Sequence, residues 1–259
     1  MSHRFALAGL CSLALGACAV PAVYFTPRVS QIGIDGEFGI QERPDLDARA
    51  SADTFGMDGD SSVLSGRVDL LAVGHGTSSA RHSAHDGEGT AADAELSNRS
   101  VTISVGDPVR SEINFSAYSE AWTFDLIPGD AIEFGLGLGV TALDVAASFL
   151  DQLTSASVRN DELVPIPDLI GRMGANFGAV EVSRRVSWID LAHEDTPASS
   201  IDIDAMARLR ISGDSKRFSG YVAAGYRFLD VEAEFEDGSN SVGIDAEFNG
   251  PWVGLSVSF

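Results

Sequence analysis

Strict alternation of apolar and polar residues is the feature that most limits what this chain can fold into. In 31–41, Ile32, Ile34, Gly36, Phe38 and Ile40 alternate with Gln31, Asp35, Glu37 and Gln41. In 132–142, Ile132, Phe134, Leu136, Leu138 and Val140 alternate with Glu133, Gly135, Gly137, Gly139 and Thr141. The same pattern returns in 169–179, 201–212 and 218–228. A period of two belongs to strands, whose successive side chains point to opposite faces. No comparable period of 3.6 is sustained, so the chain reads as all-β.

The connections between these runs alternate as well. Short ones read Ile127-Pro128-Gly129-Asp130, Val182-Ser183-Arg184-Arg185 and Gly213-Asp214-Ser215-Lys216; long polar ones cover 42–61, 85–98, 150–164, 192–200 and 230–241. Strands of about ten residues, with short turns at one end and long loops at the other, resemble an antiparallel up-and-down transmembrane β-barrel of the outer membrane. A water-soluble sandwich or lipocalin-like barrel competes, but it would carry loops of similar length at both ends. Strands are expected near 29–41, 62–72, 76–84, 110–126, 130–149, 168–181, 185–191, 201–212, 217–229 and 242–259. That makes ten, with eight as the alternative, since 76–84 is poor in apolar residues. Segment 99–106 also alternates and is expected to extend a hairpin above the membrane.

Both ends of the chain carry address signals. Residues 1–17, MSHRFALAGLCSLALGA, have a positive Arg4 followed by 13 uncharged, mostly apolar residues. That run is too short to span a bilayer as a helix, which takes about 20 residues, and it suits a signal peptide. Leu15-Gly16-Ala17-Cys18 resembles a bacterial lipobox, which implies lipidation at Cys18. Ala17-Cys18-Ala19 is alternatively a small-x-small site cut after Ala19. Residues 18–28 are then a tether and 29–259 the barrel. At the other end, Val253, Leu255, Val257 and Phe259 share one face, and Trp252, Gly254, Ser256 and Ser258 the other. A terminal Phe closing an alternating strand resembles the insertion signal of Gram-negative outer-membrane barrels. The resemblance implies recognition by barrel-assembly machinery, periplasmic termini and extracellular long loops.

Charge narrows the partners. The formal net charge is −21, and an acidic chain is repelled by polyphosphate, so no nucleic-acid partner is expected. The long loops hold 20 acidic residues against Arg43, Arg49 and Arg159. Such a rim would lie beside outer-membrane lipid and lipopolysaccharide, with divalent cations as bridges. Plain solubility of extracellular loops explains the same charge.

The inward face is expected to carry Asp35, Glu37, Arg67, Asp69, Glu133, Arg172, Asp202, Asp204, Arg208, Arg210 and Arg227. Their mixed signs suit pairing across a narrow lumen, because an unpaired buried charge is costly. Inward Gly135, Gly137 and Gly139 leave room for the arginines. Catalytic signals are thin. His193-Glu194-Asp195 is similar to the acid/His surface of ten-stranded outer-membrane proteases, without their second acidic pair. His75, His82, His85, Asp86 and Glu88 match no metal template. No catalytic residue, metal or cofactor is assigned. The leading expectation is a non-enzymatic barrel with a structural or surface-interaction role and a lumen filled by charged side chains. A small porin stands second and an outer-membrane lipid or peptide hydrolase third.

Overall fold

The computed structural model describes residues 22–41, 50–57, 59–72, 74–90, 96–98, 101–104, 106–127, 131–191, 198–215, 218–237 and 240–259. Ten long strands form a closed antiparallel barrel. They are β1 (Ala22–Gln41), β3 (Ser61–Ala72), β4 (Gly74–Thr90), β7 (Pro108–Ile127), β8 (Ile132–Asp151), β9 (Ser157–Asn176), β10 (Val180–Leu191), β11 (Ala198–Ser215), β12 (Phe218–Asp237) and β13 (Asn240–Ser258). Each pairs with its neighbours in sequence, and β13 returns to β1, so the sheet has no free edge. The short β2 (Ala50–Ser51) pairs with β1, and β5 (Leu96–Asn98) with β6 (Val101–Ile103) forms a separate hairpin. Among the described residues there is no helix.

Most strands are longer than the alternation suggests, by seven or eight residues in β1, β4 and β12, and one ladder shows why. Starting on the outward face at Val23, the pairing runs through Leu70, Gly76, Trp122, Leu138, Leu169, Trp188 and Ile201. It continues through Asp230 and Glu247 and returns to β1 at Asp35, twelve residues above its start. That stagger is the shear that tilts the strands and closes the barrel. As the ladder climbs, its outward side chains turn from apolar to acidic.

The inward face turns the other way. On β8, inward Gly135, Gly137, Gly139 and Thr141 give way to Leu143, Val145, Ala147 and Phe149, while outward Leu136, Leu138 and Val140 give way to Asp144 and Ser148. The half of the barrel near the termini therefore wears an apolar belt, with Leu138 67% and Val253 62% exposed. The loop-side half has an apolar core and a polar outside, as a water-soluble barrel does.

This inversion corrects several expectations. Asp35 and Glu37 point outward and are exposed, because Ile32 and Ile34 take the inward positions. Much of 85–98, 150–164 and 230–241 is strand rather than loop, since polar outward residues there mark the upper barrel wall. The β9–β10 turn lies at 177–179, not 182–185, so Arg184 faces outward and Arg185 inward. β1 begins at Ala22, so residues 22–28 are barrel strand rather than tether. Strand β4 forms although it is apolar-poor: Trp122 covers it from β7, and a Cβ at Gly76 would lie 2.7 Å from the indole.

Candidate functional site

The belt half of the lumen is filled by arginines and aspartates from opposite walls. Asp204 on β11 receives Arg28 Nη1 from β1 at 2.8 Å and Arg67 Nη1 from β3 at 3.0 Å. Asp69, fully buried, receives Arg67 Nε at 2.8 Å, Arg208 Nη2 at 2.8 Å and the Thr77 hydroxyl at 3.0 Å, with His75 Nε2 at 3.1 Å. Asp202 receives Arg227 Nε at 2.9 Å and Nη2 at 2.5 Å, and more loosely Arg185 Nη2 at 3.4 Å. Arg28 lies over the Trp252 ring at 4.0 Å and Arg208 over Tyr24 at 4.6 Å. Towards the termini, Arg172 pairs with Asp125 and Glu133.

Above this layer the lumen is mainly apolar, with His85, Ser83 and Ser111 buried among its walls. Ile32, Ile34, Val63, Phe115, Leu143, Val145, Ile166, Leu229, Val231 and Phe248 line it. The turn after β2 folds into it, burying Ala52, Phe55 and Met57, and Phe55 meets Phe149 with ring centroids 4.8 Å apart. Two glycines on the wall permit that approach: a Cβ at Gly87 would lie 2.4 Å from the Phe55 carbonyl oxygen, and one at Gly89 2.1 Å from that of Thr54. The β5–β6 hairpin touches both β1 and β9, which stand on opposite sides of the barrel, and buries Ile103 in the same cluster. The hairpin expected from 99–106 is therefore a cap across the mouth.

Of the eleven charged residues expected inside, Arg67, Asp69, Glu133, Arg172, Asp202, Asp204, Arg208 and Arg227 are on the inner face, and all but Glu133 are buried. Arg210 lies at the rim, its Nη2 donating to the Gly178 carbonyl at 2.6 Å. Asp35 and Glu37 are outside. Sequence reasoning missed Arg28, Arg81 and Arg185, although continuing the parity of Ile32 back along β1 reaches Arg28. His75 and His85 face inward and His82, Asp86 and Glu88 outward, so these five do not converge. Val253, Leu255 and Phe259 are exposed on the belt, with Trp252 and Ser256 buried behind them. Cys18 and His193-Glu194-Asp195 lie outside the described residues.

The outer wall holds two further features. Two rungs above the belt carry only acidic residues across β12, β13 and β1: Asp230, Glu247 and Asp35, then Glu232, Asp245 and Glu37. Within the belt, a groove of about 560 Å3 is lined by Val68, Leu70, Gly76, Trp122 and Leu138, with Glu120 accepting a hydrogen bond from the Ser78 hydroxyl at 2.6 Å.

No protein-family model matches the sequence, and neither does any curated protein. Solved structures do resemble it in backbone. The outer membrane protease OmpT from Escherichia coli aligns with 91% of this chain and 97% of its own, at 9% identity and a TM-score of 0.49. The transport unit of the autotransporter AIDA-I from Escherichia coli aligns over 94% and 91%, at 9% identity and a TM-score of 0.35. The toluene transporter TodX from P. putida aligns over 93% and 90%, at 7% identity and a TM-score of 0.29.

Proposed function

We propose that this chain is an outer-membrane barrel with a closed lumen, acting in a structural or surface-interaction role rather than as a pore or an enzyme. The observation that carries the reading is the double closure of the lumen. Cross-wall Arg–Asp pairs fill the belt half, and Phe55, Met57 and the hairpin fill the other half. The apolar belt supports the membrane placement: a spanning strand needs about 9–11 residues, and apolar outward residues cover such a length from Phe218 to Phe228 on β12. The remaining wall then stands above the bilayer as a rigid stalk, with the long loops extracellular and both termini periplasmic.

In this reading the acidic rungs lie at lipopolysaccharide level and meet its phosphates through divalent cations. The strand ending at Phe259 is the segment handed to barrel-assembly machinery, and Cys18 is the lipidation site. Solute flux tests the closed lumen. Proteoliposomes containing the full chain should exclude small sugars at the rate of protein-free liposomes. Rapid swelling would favour the porin reading.

A further inference from the structure

Arg81 is the anomaly of the charged layer. It is 4% exposed, projects inward from β4, and makes no ion pair among the described residues. Its guanidinium carbon sits 5.0 Å from the centre of the Phe115 ring, at the boundary with the apolar layer. Its Nε and Nη2 are buried without a hydrogen-bond partner, and so are Nε and Nη1 of Arg185. Arg81, Arg185 and Arg227 act electrostatically on one another, on Asp204 and, more strongly, on Asp202. That carboxylate is already committed, to Arg227 through two bonds and to Arg185 through one. The nearby Asp168 accepts the Thr141 hydroxyl at 2.5 Å.

The layer thus holds six buried arginines, Arg28, Arg67, Arg81, Arg185, Arg208 and Arg227, against four buried aspartates, Asp69, Asp168, Asp202 and Asp204, with Glu181 at its edge 3.8 Å from Arg208. Guanidinium does not lose its proton in a protein, so the excess cannot be relieved by neutralisation. A buried charge left unpaired is expensive. Water would satisfy the N–H groups but not the charge. We propose that the lumen encloses a small inorganic anion of halide size, bound by the free N–H groups of Arg81 and Arg185 beside Asp202. The anion is taken up as the barrel closes, because the apolar plug seals the layer from one side and the lower Arg–Asp pairs from the other. Asp204 Oδ1, also without a partner, belongs to the next pair down and suits a water molecule.

The test uses the full chain, refolded from urea into detergent in sodium bromide or in sodium gluconate at equal ionic strength. Crystals of the bromide sample should show an anomalous peak within hydrogen-bond distance of Arg81 and Arg185. The thermal midpoint should be higher in bromide than in gluconate, and Arg81→Met should abolish the difference. No peak, with water in its place, would overturn the proposal. A peak with equal midpoints in the two salts would mean an adventitious ion only and would overturn it too. If Arg81→Met does not fold, the diffraction and the two-salt comparison on the unmutated protein still decide.

Discussion

Glu247 on β13 stands directly opposite Asp35 on β1, across the seam that closes the barrel. Asp230 flanks Glu247 from the other side, and the rung above repeats the arrangement with Glu232, Asp245 and Glu37. Like charges directly opposite one another destabilise a sheet, in which a favourable cross-strand pair contributes about 0.2–1 kcal/mol. Glu247→Gln removes the central charge of one rung. It should raise the unfolding temperature measured in chelator at low salt, and magnesium should shrink the gain. An equal effect with and without magnesium would argue against cation bridging at this rung.

The assignment of faces can be tested at two outward positions, one on β8 within the belt and one on β1 above it. Leu136 lies on the exposed belt, and arginine facing lipid near the midplane costs about 2–4 kcal/mol. Leu136→Arg should strongly reduce the folded, heat-modifiable form seen on gels. Asp35→Arg, outward but above the belt, should fold as well as the parent or better.

Glycine at 137 is required by the backbone rather than tolerated by it. A Cβ there would lie 1.9 Å from the Trp122 carbonyl oxygen, whereas one at Gly66 would meet nothing within 4 Å. Gly137→Ser should lower the yield of folded protein, and Gly66→Ala should not. From the sequence, inward glycines read as spare space for arginines, which would make Gly137→Ser mild. The close approach of β7 and β8 makes that expectation wrong.

Asp69 holds Arg67 and Arg208 together in the lumen. Asp69→Asn keeps the shape but leaves both cations short of a counter-charge. Removing one partner of a buried pair costs about 3–5 kcal/mol. The thermal midpoint should fall sharply, and far more than for Arg210→Ala at the rim.

The alternation revealed the architecture because an apolar belt and a polar lumen impose a period of two on every strand that crosses them. It identified the inward face of β11 correctly at Asp202, Asp204 and Arg208. It misled at Asp35 and Glu37 because the period persists above the belt while the meaning of its two faces reverses. The alternation of Ile32 and Ile34 with Asp35 and Glu37 carries no mark of that reversal. Arg185 was hidden by an apparent turn, Val182-Ser183-Arg184-Arg185, in which two adjacent arginines go to opposite faces. The plug was illegible for a different reason. Phe55 and Met57 lie in a segment rich in Asp and Gly, and only contact with β4 shows that Gly87 and Gly89 make room for them.

The most direct test of the closed lumen is single-channel recording of the purified full chain in planar bilayers. A lumen sealed by the Asp69 and Asp204 ion pairs below and by Phe55 and Met57 above should give a silent membrane, or rare openings of small amplitude. Large, steady openings from the unmutated protein, comparable with those of a general porin, would contradict the closed barrel.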